Sequence, residues 1–62
     1  MTESSDERFR SLRHDLSNPL SAILAETQLL LLRGEALDTE TVTALRDIES
    51  LARRMREILH RQ

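Results

Sequence analysis

The sequence predicts an all-α fold: an antiparallel helical hairpin forming a homodimeric four-helix bundle. Three observations predict it. Apolar residues recur at helical spacing in two stretches, separated by a short connection. One glycine and one proline among 62 residues are too few turn formers for a β sandwich or barrel. There is no cysteine to supply a disulfide staple. A chain this short hides only ~60% of its unfolded surface when it folds alone, so it needs a partner chain.

Residues 1–7 are read as a flexible lead-in, polar and acidic, and residues 8–62 as the hairpin. In the first helix Phe9, Leu12, Leu16, Leu20, Ile23, Thr27 and Leu30 follow one another at steps of three or four. At ~100° per residue they fall in one stripe. Gly34 ends the pattern where a C-terminal cap glycine is usual. Glu35, Ala36 and Leu37 form the connection. Asp38 or Thr39 can cap the second helix, and Glu40 adds favourable charge to its first turn. Ala44, Leu45, Ile48, Leu51, Ala52, Met55, Ile58 and Leu59 make the second stripe. Glu49, Arg53, Glu57 and Arg61 alternate in sign four residues apart, which reads as a solvated face. Arg53, Arg54 and Arg56 read as part of that surface rather than as a phosphate site. Leu12, Leu16, Ile23, Leu24 and Leu31 span more than the narrow seam of a two-stranded coiled coil. Two hairpins related by a two-fold axis cover the excess.

Composition excludes several functions. The net charge of −2 gives no basic excess for nucleic acid or an anionic membrane. All nine basic residues are arginine. Phe9 is the sole aromatic residue, so there is no platform for stacking bases. No apolar run approaches the ~18 residues that span a bilayer, Leu29–Leu32 being only four long, and the acidic start is not a signal peptide. A cytoplasmic location is expected. His14 and His60 lack metal-ligand spacing, so no metal is expected.

The unusual feature is Pro19, in the middle of the first helical pattern. An interior proline removes a backbone hydrogen bond and clashes with the carbonyl four residues back, at a cost of ~3 kcal/mol or more. That carbonyl belongs to Asp15. On a wheel with His14 at zero, Asn18 lies ~40° away, Asp15 ~100° and the centre of the apolar stripe ~200°. His14 and Asn18 therefore face solvent with Asp15 at their flank. From geometry alone an ordinary exposed histidine on a kinked helix is the simpler reading.

The local string changes that reading. Residues 14–20, His-Asp-Leu-Ser-Asn-Pro-Leu, resemble the phosphoacceptor box of sensor histidine kinases, matching each constrained position. Ser21-Ala22-Ile23 resembles the family's continuation, and the resemblance extends from about Phe9 to His60. It implies a dimerisation and phosphoacceptor domain of two-component signalling. His14 would take the γ-phosphoryl group of ATP and pass it to a response-regulator aspartate. Physical chemistry agrees with those roles. An attacking imidazole must be exposed and neutral, and a carboxylate such as Asp15 can hold its other ring N–H, fixing the tautomer. The resemblance implies that Asn18 positions water for dephosphorylating the partner's aspartyl phosphate. Ala22, Ala25 and Leu29 continue the outward face of His14 toward the loop, at ~80°, ~20° and ~60° from it. Two readings stay open for them: burial between helices of the bundle, or a groove for a response-regulator receiver domain.

One glycine cannot build a phosphate-cradling loop. The chain is therefore expected to bind no cofactor itself and to lack an ATP-binding domain. ATP and Mg²⁺ would be supplied through a partner ATP-binding kinase domain. The competing function is a non-catalytic dimerisation hairpin, or a decoy that binds signalling partners without being phosphorylated. Retention of His14, Asp15 and Asn18 together separates the two, since a decoy does not need all three.

Overall fold

A computed structural model describes residues 2–61, with side chains from Ser5 to Arg61. Helix α1 spans Thr2–Leu31 and helix α2 spans Thr39–Arg61, with a short 3-10 turn at Gly34–Ala36 between them. The helices pack side by side as a hairpin, a rod 53 Å long and 14 Å by 11 Å across. Among the described residues no helix is long and apolar enough to cross a membrane. Helix α1 already includes Thr2, so it runs through the stretch read as a lead-in, of which Met1 lies outside the described residues.

The stripe read as one surface on α1 is divided. Leu20 and Leu24 are buried against Ala52 of α2, with Leu59 packed beside them. Thr27 is buried on the same side, and its hydroxyl donates to the Ile23 carbonyl at 2.6 Å, so no polar atom there is orphaned. Phe9, Leu12, Leu16, Ile23 and Leu30 stay exposed. The reason is width. One neighbouring helix covers only one flank of a broad apolar stripe. Helix α2 divides likewise: Val42, Leu45 and Ala52 turn inward, while Ile48, Leu51, Met55 and Ile58 remain open.

Two local expectations are corrected. Glu49 is not on a solvated face: it is half-buried at the seam, accepting from Gln28 Nε2 of α1 and from Arg53, each at 3.3 Å on the same oxygen. Gly34 is not a left-handed cap. No glycine has positive φ, and Gly34 instead opens the 3-10 turn, its carbonyl accepting from the Leu37 N–H at 3.3 Å. At the start of α2 the open choice resolves to Asp38. Its Oδ1 accepts from the Thr41 N–H at 2.7 Å, and its carbonyl accepts the first helical bond, from Val42, at 3.0 Å.

Candidate phosphoacceptor site

The site lies on α1, with His14 and Asn18 turned away from the uncovered apolar rows and Asp15 at the flank between the two. His14 and Asp15 stand in water, with 76% and 72% of their side chains exposed. The His14 ring Nδ1 lies 4.0 Å from Asp15 Oδ1. That is neighbouring charge, longer than a hydrogen bond, so the carboxylate stands beside the ring without gripping its N–H. Asn18 is exposed one turn further on. The helix continues through Pro19, although Pro19 offers no N–H to the Asp15 carbonyl. Just upstream, the Ser17 hydroxyl donates back to the Arg13 carbonyl at 2.7 Å.

Ala22, Ala25 and Leu29 are all exposed in the hairpin. Together with His14 and Asn18 they form one open face of α1, beside a groove lined by Glu26, Leu29, Leu30, Leu32 and Arg33. Leu32, absent from that expected face, is the most exposed large apolar side chain among the described residues, at 83%. The signal was its spacing. Leu32 is eighteen residues from His14, five whole turns at ~3.6 residues each, hence on the same azimuth. His60 lies in the last turn of α2, apart from this face.

A helical hairpin that holds a histidine and a carboxylate in water on one side, and an unburied apolar surface on the other, is suited to accept a group while pairing with another chain. Residues 4–61 match the His Kinase A (phospho-acceptor) domain, and the chain belongs to that family. It is a phosphoacceptor and dimerisation module of a histidine kinase system. Such domains dimerise and work with ATP-binding kinase domains and response regulators. No curated protein and no solved structure matches the chain.

Proposed function

We propose that His14 is the phosphoacceptor. The observation that carries this is the exposure of the one histidine that opens the His-Asp-Leu-Ser-Asn-Pro-Leu string, within the family match. A neutral ring nitrogen attacks the γ-phosphorus of ATP held with Mg²⁺ by a separate ATP-binding kinase domain. The new N–P bond forms as the bond to the β-phosphate bridging oxygen breaks, and ADP leaves. A carboxylate of a response-regulator receiver domain then takes the phosphoryl group, restoring the imidazole. Asp15 orients the ring and favours the attacking tautomer. Asn18 orients water for the reverse service, hydrolysis of the receiver's aspartyl phosphate; a neutral amide does this without repelling the phosphoryl group. Ala22, Ala25 and Leu29, extended by Leu32, are where the receiver docks, because small and apolar residues stand in water there without another occupant in the hairpin.

The test is incubation with a cognate ATP-binding domain, Mg²⁺ and ATP, followed by intact mass and acid-lability measurements. The wild-type hairpin should gain one acid-labile, base-stable phosphoryl group. His14→Gln should gain none while keeping its helicity, and His60→Gln should behave as wild type. Phosphate retained on His14→Gln would overturn the assignment. Absence of phosphate on every form, with partner binding intact, would favour the decoy.

A further inference from the structure

The hairpin leaves one long side apolar and open. On α1 it carries Phe9, Leu12, Leu16, Ile23 and Leu30, and on α2 Ile48, Leu51, Met55 and Ile58. Phe9, Leu16, Ile23 and Leu30 repeat every seven residues, the spacing of helices that wind together in a left-handed bundle. On α1 the open row lies ~65° round from the inward row, and on α2 ~110° round in the same sense. Because the helices are antiparallel, the shared sense puts both rows on one side of the hairpin.

Register and charge identify the occupant as a second copy of this chain. Gln28 bonds Glu49, and Leu24 shares one buried cluster with Ala52. Carried along the antiparallel pair, this register sets Ala22 level with Arg54, and Asp15 level with Arg61. Phe9 and Leu12, 60% and 53% exposed, lie beyond the level of Arg61, where α2 cannot cover them. A two-fold axis along the hairpin brings the two overhangs together; an axis across it leaves both in water. With the axis along the hairpin, α1 of each protomer rests on α2 of the other and levels are preserved. Along the rim of that contact opposite signs lie level or within about one helical turn of each other. Asp15 is level with Arg61, and Glu26 lies one turn from the level of Arg54; nearer the loop the signs reverse, with Arg33 about one turn from the levels of Glu40 and Asp47. Among the described residues Glu26, Arg54 and Arg61 have no ion partner inside the hairpin.

We infer that the second copy contributes to the phosphoacceptor site: Arg54 of the partner subunit pairs with Glu26, and Arg61 of the partner subunit holds Asp15, the carboxylate beside His14. Asp15 then has one oxygen for the ring and one for the partner's guanidinium. The interface stands on the geometry of the apolar rows, whereas the role of the arginine rests on the phosphoacceptor reading. Arg61 is a positioning residue, because it acts on the ring only through Asp15.

Two measurements test the two halves. In the first, double variants are treated with a short thiol-specific cross-linker. Glu26→Cys with Arg54→Cys should give a covalent dimer, since in one hairpin these positions point apart. Gln28→Cys with Glu49→Cys should link within one chain. A reversed pattern, or an uncross-linked first variant, overturns the interface. In the second, mixed dimers carry His14 on one protomer and His14→Gln on the other. Arg61→Ala placed on the His14→Gln protomer should slow labelling roughly two- to fivefold, the scale of an exposed ion pair. The same change on the labelled protomer should leave the rate unaltered, and Arg61→Lys on the other should restore it. Equal or reversed effects overturn the trans arrangement. If the wild-type hairpin takes no phosphate at all, the phosphoacceptor reading falls, and with it the role of Arg61, while the cross-linking still decides the interface.

Discussion

Asp15 and Asn18 follow His14 by one and four residues, and helix geometry sends them to different sides of it. Asp15 stands at the flank, 4.0 Å from the ring nitrogen, whereas Asn18 lies almost directly one turn along the same face. That separation predicts separable roles. Asp15→Asn should slow phosphorylation of His14 by ~10²-fold or more, the low end of general-base effects. Asn18→Ala should leave acceptance intact and impair decay of a phosphorylated receiver. Both side chains are exposed, so each change should alter stability by ~0.5 kcal/mol or less. Donor-dependent labelling and receiver dephosphorylation, measured on the same two variants, check this; equal loss of both activities in both variants would show the residues acting as one unit. The identities of these side chains were legible because the chemistry demands those types at that spacing. Their contact was not: whether a flanking carboxylate grips an imidazole depends on two rotamers, and the structure holds them at 4.0 Å. Leu32 was hidden for a different reason, as the last residue of a leucine run that reads as generic helix.

Both helices could be read from periodicity, but their ends obey local hydrogen bonding that apolar spacing does not report. At the start of α2, hydrogen bonds from the Thr41 hydroxyl and backbone N–H hold the Asp38 carboxyl below its ordinary value of 3.8. A carboxyl with a lowered folded-state pKa stabilises the fold when ionised. Its contribution is complete above the ordinary value and is lost as pH falls through the lowered one. Asp38→Asn keeps a side-chain acceptor of similar capping strength but cannot titrate. The melting-temperature difference between wild type and Asp38→Asn should therefore shrink as pH drops below ~4; a constant difference would remove Asp38 from the acid response. At the end of α1 the familiar meaning of a lone glycine misleads. Gly34 has no positive φ, and a Cβ built there meets nothing within 4 Å. Gly34→Ala should be tolerated or stabilise by ~0.4–1 kcal/mol, because it narrows the unfolded ensemble. Denaturant unfolding measures this, and a clear loss of stability would show that the turn needs glycine after all.

In the whole molecule, the apolar surface exceeds what one hairpin can bury. Only Leu20, Leu24 and Ala52 form a buried apolar cluster among the described residues, while Leu16 and Ile48 keep 39% and 43% of their surface exposed. The sequence showed that the stripes were too wide for one partner. It could not show how each divides, because a four-helix bundle buries two flanks of every helix and periodicity does not say which flank meets the chain's own second helix. The buried cluster of Leu20 and Leu24 with Ala52 supplies that. The division turns dimerisation into a sharp test. If the hairpin were stable alone, Leu16→Glu or Ile48→Glu would put a charge on a half-exposed position and cost little. If a second hairpin covers those rows, the same charge enters an apolar interface and the dimer cannot form. A 62-residue chain with so small a core then has too little buried surface to hold itself folded. We expect either variant to lose helical circular dichroism rather than to yield a folded monomer, and the wild-type melting temperature to rise with protein concentration. A folded monomer by light scattering, melting at the same temperature at every concentration, would mean that the hairpin supports itself and that its open rows await something other than its own copy.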